Sequence, residues 1–425
     1  MLMQNTDKKN ESGKIAIDKV IGLYLVATLL FLLYLIKISP GKFISDERDF
    51  MPNIKVLAHY GFSFAFLRNI IGQSPGPLYQ FIYYPISKFI DLTPKVMRVF
   101  NYLFLLANIY LLGLLISANL KRNIALISML IMAIPMTWNI SGMAFTELPS
   151  LFFCLLSLFL LKKSLDNTDG ISIMLALLAG LCAGTGIIGR SPFLMLIPAS
   201  FLLFSIPGKK IAIIIFIMSS LIFPCIVFSA WHGLVPPDVQ NIQSGYNAWY
   251  LLLCITYFGL ATLIIYPQFF IREKVHYYIA LGLIILFVLL NAFVFKVKYT
   301  PMNGVFNSKR IPSFISGIYP YLFQAVTVGC SYIFLISLYS YIKLSKKSVW
   351  GFFLLAISGL IVFTTIKSAA HFTSKYVMQA YPFFLVYIAA DIKINRSLLF
   401  RIIIGSLIGV TTLYTYYSIH SALNY

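Results

Sequence analysis

The sequence is poor in charge. Only 13 of its 425 residues are acidic and 11% are charged, against 60% hydrophobic. A soluble globular domain carries roughly 25% charged residues, so a water-soluble fold is excluded and a polytopic membrane protein is expected. Cysteine is scarce as well. There are five, an odd number: Cys154, Cys182, Cys225, Cys254 and Cys330. All lie in apolar runs without Cys-x-x-Cys or Cys/His spacing, which excludes a disulfide framework and a zinc site and leaves them as small core residues. Long polar stretches are lacking, so no separate soluble domain is expected, and neither low-complexity tracts nor a transporter-like internal repeat is evident. The formal net charge of +20 does not point to nucleic acid. Its Lys and Arg residues are dispersed in short clusters between apolar runs, as in the cytoplasmic loops of membrane proteins.

What the chain has in quantity is apolar runs, at 20–38, 97–119, 123–140, 146–161, 171–188, 192–207, 211–230, 248–270, 276–295, 318–342, 349–366, 375–391 and 398–417. Since a span needs about 20 apolar residues, these predict an all-α polytopic bundle of about 13 transmembrane helices, one integral membrane domain over 1–425. Lys8, Lys9, Lys14 and Lys19 precede the first run, and no small-residue cleavage signal follows it; this predicts a retained signal anchor with a cytoplasmic N-terminus. Inner loops are then Lys121-Arg122, Lys162-Lys163, Lys209-Lys210, Arg272 to Lys274, Lys343 to Lys347 and Lys393 to Arg401. The parity requires that Pro77 to Ile90, short and flanked by Lys88, Asp91 and Lys95, lies as an amphipathic helix at the outer surface. The outer segments are a long first loop, 39–96, and 139–146, 189–191, 231–247, 296–317 and 367–374, with the C-terminus outside.

Against this background Ser45-Asp46-Glu47-Arg48-Asp49, just after the first run, is the outstanding cluster. Charge is costly beside hydrocarbon, so carboxylates held there are candidates for a catalytic base. A plainer reading has Ser45 capping a helix whose first-turn acids suit the dipole. It leaves Asp49 unexplained, one turn from Asp46, where like charges repel unless a cation or a basic partner is present, with Arg48 the local neutralising alternative. Thr146-Glu147 with Pro149 reads equally as a helix start and as a functional acid. Arg190, in Gly189-Arg190-Ser191-Pro192, is an isolated outer cation suited to a phosphate or to snorkelling toward headgroups. His371 and Lys375 head a late span beside Tyr376 and suit a lipid phosphate, although interfacial belts also gather such side chains. Lys296, Lys298, Lys309 and Arg310 form a second outer basic patch. His59 and His232 stand alone, without metal-ligand spacing.

Asp46-Glu47 followed by Pro52, then Ser74-Pro75-Gly76-Pro77-Leu78-Tyr79 and Met97-Arg98-Val99-Phe100-Asn101, resembles the first outer loop of the GT-C superfamily of polyprenyl-phosphate-sugar-dependent glycosyltransferases. The chain is similar to the dolichyl-phosphoglucose α-1,2-glucosyltransferases and, more loosely, to protein O-mannosyltransferases and lipid A aminoarabinose transferases. Phe145-Thr146-Glu147-Leu148-Pro149, Gly189-Arg190-Ser191-Pro192 and Lys375-Tyr376 through Pro382 occur in the corresponding order. Two departures stand out. Arg48-Asp49 replaces the histidine or aromatic that often follows the Asp-Glu pair, and Glu147 stands where several members have aspartate.

The resemblance implies a GT-C type bundle whose first loop carries the catalytic motif and juxtamembrane helices. It implies an inverting transfer of a hexosyl or pentosyl group from a polyprenyl-phosphate sugar to a hydroxyl on a glycan, lipid or protein. Asp46 is then the base. Glu47, Asp49, Glu147 and Tyr79 orient the acceptor or a cation, and Arg190, His371 and Lys375 bind the donor phosphate. A divalent cation, Mg2+ or Mn2+, suits the oxygen-rich acidic positions without being identified by them. The partners are the lipid-linked donor, the acceptor and membrane lipids. Compact loops favour a bacterial inner membrane; the endoplasmic reticulum membrane is the eukaryotic counterpart. The competing classes are a flippase of lipid-linked sugars and a polysaccharide polymerase or ligase. The first expects intramembrane charge and broken helices in matching halves, the second more outer arginines than this chain has.

Overall fold

The computed structural model describes residues 2–116, 124–167, 170–240, 245–297, 313–345, 347–367 and 373–422. Among these residues the chain forms helices and no strand, the outcome expected where hydrocarbon leaves the backbone to satisfy its own hydrogen bonds. It is an all-α integral membrane protein that divides into two compact units. One comprises Met1–Ile242, Ser348–Ile361 and Met378–Tyr425, the other Gln243–Lys347 and Val362–Val377.

In the first unit α1 (Leu2–Ile38) is followed by three short helices, α2 (Glu47–Tyr60), α3 (Phe64–Arg68) and α4 (Leu78–Ile86). Then come α5 (Pro94–Leu115), α6 (Ile124–Met129), α7 (Pro135–Gly142), α8 (Glu147–Asp166), α9 (Gly170–Gly189), α10 (Leu196–Ser200) and α11 (Lys210–Trp231). The second unit holds α12 (Ala248–Ile265), α13 (Lys274–Leu290) and α14 (Ser313–Leu344). The late helices are α15 (Val349–Thr364), α16 (Lys375–Ile388) and α17 (Arg396–Ala422).

Among the described residues ten helices are long and apolar enough to cross a membrane. The apolar runs at 123–140, 192–207 and 375–391, which complete the expected count of about 13, take other forms. The first is bent by 83° between Ile124–Ala133 and Pro135–Gly142, and makes an eleventh span if the pair is counted as one. Pro135 at the start of α7 is the cause, because proline cannot continue the preceding helix. The second, Ser191–Ser205, is a short apolar segment in which 3-10 turns flank the five-residue α10. The third is the 14-residue α16, closed by a 3-10 turn at Ala389–Asp391. Pro77 to Ile90 is not a candidate span: only α4, nine residues, forms there.

Helices α8, α9 and α11 pack closely because α9 presents small residues. A methyl on Gly184 would stand 2.8 Å from the Ser220 carbonyl oxygen, and one on Gly186 would stand 2.5 Å from the Cys154 sulfur. At one end of this trio Lys209 Nζ donates to the Asn167 carbonyl, so the C-terminal end of α8 and the start of α11 meet. At the opposite end α9 closes on α8 through Arg190 and Glu147. In the second unit α14 packs on α12 and α13, and Thr256 Oγ1 lies 3.0 Å from both Thr327 O and Ser331 Oγ. The five cysteines are free: Cys154 and Cys254 are buried, whereas Cys225 is exposed on α11.

Candidate active site

The segment 39–93 returns the chain from α1 to α5, and one ion pair fastens it. Arg98, in the second turn of α5, meets Glu47, the first residue of α2, with both side chains fully buried. Glu47 Oε1 accepts from Arg98 Nε at 2.9 Å and from Ala144 N at 2.7 Å. Glu47 Oε2 accepts from Arg98 Nη2 at 2.7 Å and from Ile44 N at 3.1 Å. The remaining guanidinium protons go to Ser39 Oγ (2.8 Å), Pro40 O (2.6 Å) and Lys42 O (3.1 Å). Arginine has five N–H donors and a carboxylate about four lone-pair positions, so both groups are saturated. Such saturation lets a buried ion pair overcome its desolvation. Glu47, expected beside Asp46 in the chemistry, therefore has no lone pair left for an acceptor; the geometry makes it the post that fixes the loop.

Asp46 sits immediately before this post, half-buried, at the N-cap of α2, yet its side chain caps no backbone N–H. Ser45, the cap of the plainer reading, thus stands one residue before the N-cap, whereas Glu47 and Asp49 do lie in the first turn of α2, where acids suit the dipole. Ser45, with φ 51°, is in the left-handed region, unusual for serine. Its hydroxyl donates to Asp46 Oδ1 at 3.2 Å and accepts from the phenol of Tyr416 on α17. Asp49, one turn on, is exposed.

Beneath α2 lies a core of neutral amides. Asn53 Nδ2 donates to Gln73 Oε1 at 3.1 Å, and Gln80 Nε2 donates to Gln73 Oε1 at 2.7 Å and to Phe50 O at 3.1 Å. Asn53 Oδ1 accepts from Ile71 N at 3.1 Å. Gly76 lets this loop touch α9: its N–H donates to Gly189 O at 3.3 Å, and a methyl there would fall 1.7 Å from the Ile188 carbonyl oxygen. Asp238 receives Gly72 N at 2.6 Å, and Trp231 Nε1 donates to Leu67 O at 2.7 Å. The segments 39–96, 139–146, 189–191 and 231–240, all expected on the outer side, accordingly gather at one end of the first unit.

Tyr79, expected to orient the acceptor, is buried and donates its hydroxyl to Ala144 O at 3.0 Å. Burial first, then the neighbouring Tyr83 and Glu47, push its phenol well above its ordinary value, while Arg98 opposes the shift. Burial and Glu47 likewise raise Tyr83. Ala144 is therefore held on both sides, its N–H by Glu47 and its carbonyl by Tyr79.

Three residues after Ala144 comes Glu147, an interval of at most about 11 Å along the chain. Glu147 opens α8, buried, and pairs through Oε1 with Arg190 Nη2. Unlike the Glu47 pair this one is unsaturated. Glu147 Oε2, Arg190 Nε and Thr146 Oγ1 are all buried with no hydrogen-bond partner among the described residues. Buried polar atoms are nearly always satisfied, so an acceptor, a donor and a hydroxyl left open side by side suit a polar ligand or water. Arg190 and Glu147, expected in separate roles, share this one place.

Lys375 begins α16 and belongs to the second unit, whereas Asp46 and Arg190 belong to the first. His371, Lys298, Lys309, Arg310, Lys121 and Arg122 lie outside the described residues. Among the described residues no three His, Cys, Asp or Glu side chains come together as a metal would require. The residues not anticipated are Arg98 as partner of Glu47, the amides Asn53, Gln73 and Gln80, and Tyr416. The signal for the amides was present: polar uncharged residues on the inner faces of amphipathic segments.

No protein-family model matches this sequence, and no curated protein matches it.

Proposed function

We propose that this protein is an integral membrane glycosyltransferase of GT-C type, transferring a sugar from a polyprenyl-phosphate carrier to a hydroxyl acceptor on the non-cytoplasmic face, with Asp46 as base. The observation that carries the reading is the contrast between adjacent carboxylates. Glu47 is saturated by the frame, whereas Asp46, half-buried beside it, serves no capping bond. A frame that fixes one acid so fully places the next with a defined direction, which general-base catalysis needs.

In the proposed step Asp46 takes the proton of the acceptor hydroxyl. The acceptor oxygen bonds to the anomeric carbon as the bond from that carbon to the phosphate oxygen breaks. Polyprenyl phosphate leaves with the electron pair, and single displacement inverts the sugar carbon. In this reading Arg190, whose side chain is partly exposed and whose buried Nε has no partner among the described residues, meets departing phosphate charge, and Glu147 Oε2 and Thr146 Oγ1 orient hydroxyls. Asp49, exposed one turn along α2, serves acceptor selection. The loop end of the first unit is the outer end and the N-terminus is cytoplasmic. A bacterial inner membrane is the favoured location.

The test is sugar transfer from a panel of polyprenyl-phosphate sugars, using membranes holding wild-type or Asp46→Asn protein. Loss of roughly 10²- to 10⁴-fold in rate at unchanged thermal stability is expected. Transfer that survives the substitution removes Asp46 as base. A flippase of lipid-linked sugars is the second reading, favoured by the 83° break between Ile124–Ala133 and Pro135–Gly142, since transporters bind at discontinuous helices. Wild-type protein that transfers nothing but moves a fluorescent lipid-linked sugar across vesicles would establish it.

A further inference from the structure

Between α1 and α5 runs a groove of about 750 Å3, lined by Leu30, Tyr34, Val99 and Leu103 among others and carrying Lys37 and Lys95. The two helices are antiparallel here: Lys37 lies in the last turn of α1 and Lys95 in the first turn of α5. Both lysines are therefore at the loop end. From there the groove runs to Leu30 and Leu103, roughly 10 Å of helix, between walls that are apolar apart from the Tyr34 hydroxyl. Its volume is in the range of small-molecule sites.

Lys37 closes α1, where a cation suits the helix dipole, whereas the fold does not explain Lys95. Both are exposed, and neither makes an ion pair among the described residues. Lys95 stands at a helix N-terminus, where the dipole disfavours a cation. Arg98, one turn further along α5, is turned wholly into the Glu47 pair and adds nothing to the groove. The arrangement is two ammonium groups, without an ion pair among the described residues, at the adjoining ends of two helices long and apolar enough to cross a membrane, with an apolar trough between those helices.

We infer that this groove binds an anionic phospholipid of the surrounding membrane, with one acyl chain between α1 and α5 and the phosphate between Lys37 and Lys95. The inference is independent of the glycosyltransferase reading. Neutral lipids offer the same chain without net negative charge, so the lysines supply the selectivity. A lipid seated there braces the end of α1 and the start of α5, which carry Ser39, Pro40 and Arg98 of the buried lock.

The experiment is native mass spectrometry and thermal unfolding of purified full-length protein in neutral detergent. Phosphatidylglycerol is added to one sample and phosphatidylcholine of identical chains to the other. Phosphatidylglycerol should be retained more tightly by about fivefold per lysine and should raise the unfolding temperature more. Lys37→Gln/Lys95→Gln should abolish that preference while unfolding as wild type does in phosphatidylcholine. Leu103→Trp, which fills the trough, should reduce retention of both lipids. Equal retention of the two lipids by wild-type protein, or a preference that persists in the lysine variant, would overturn the inference. So would retention of a polyprenyl monophosphate but not of phosphatidylglycerol, which would make the groove a carrier site.

Discussion

Glu47 and Arg98, 51 residues apart in sequence, form a buried two-point ion pair in which every guanidinium proton and every carboxylate lone pair is engaged. The pair joins α1, α2, α5 and the turn before α8 through Ser39, Ile44 and Ala144. Removing one partner strands a charge in a dry site and should cost about 3–5 kcal/mol. Arg98→Met and Glu47→Leu should each lower the unfolding temperature in detergent, and the double variant should regain part of the loss. A single variant as stable as wild type would show that the pair does not hold the loop.

The Glu147–Arg190 pair should behave differently because its bonding is incomplete. Arg190 is partly exposed, its side chain at 15% relative accessibility, so exchange with solvent compensates part of any loss. A double-mutant cycle with Glu147→Gln and Arg190→Gln should give a coupling of about 1 kcal/mol, well below that of the Glu47 pair. In transfer assays Arg190→Gln should weaken apparent donor affinity. Unchanged affinity would remove its phosphate role.

Gly76→Ala should be among the most damaging small substitutions in the first loop. Its methyl would lie 1.7 Å from a backbone oxygen at the end of α9, which no side-chain rotation relieves. The loop would separate from α9, visible as faster proteolysis between positions 60 and 78. Gly41→Ala, with nothing within 4 Å of the added methyl, is the control and should be silent.

Tyr79 gives a pH signature whose sign is fixed. Its folded phenol is raised well above the ordinary value of 10.0, so the neutral form is the one folding favours. The stabilisation is complete below about pH 10 and declines as the unfolded chain begins to ionise above it. Wild type should lead Tyr79→Phe by about 1–3 kcal/mol at neutral pH, since Ala144 O loses its donor in the variant. The lead should narrow above pH 10. A constant gap would mean that the phenol ionises equally in both states.

Topology is open to labelling. Lys88 lies in the segment gathered at the loop end, and Asn167 follows α8 at its far end, about 30 Å away along a 20-residue helix. In a cysteine-free background, cysteine at 88 should react with an impermeant maleimide on intact cells. Cysteine at 167 should react only after permeabilisation. Labelling of both from one side would reject the arrangement.

The spans were legible because hydropathy is a property of contiguous residues. Val20 onward in α1, or 211–230 in α11, needs nothing from elsewhere in the chain to be recognised. The bend at Pro135 and the short turns around Pro192 and Pro198 were not, because a hydropathy window averages over the backbone break that a proline makes. Asp46, Glu47, Glu147 and Arg190 stood out as rare charges in an apolar chain. Their pairing did not: Arg98 is 51 positions from Glu47 and Arg190 is 43 from Glu147. Nothing local distinguishes a saturated acid from one with an open oxygen. Asn53, Gln73 and Gln80 carried no charge to draw the eye, although they form the floor of the same loop.

That floor divides the loop's sensitivity to acid. Asn53, Gln73 and Gln80 exchange hydrogen bonds without any ionisable group among them, so the amide layer beneath α2 has nothing to titrate. Loosening of the loop at low pH therefore starts at the Glu47–Arg98 pair, where protonation of Glu47 would discard the charge that holds the guanidinium, and not at the amides.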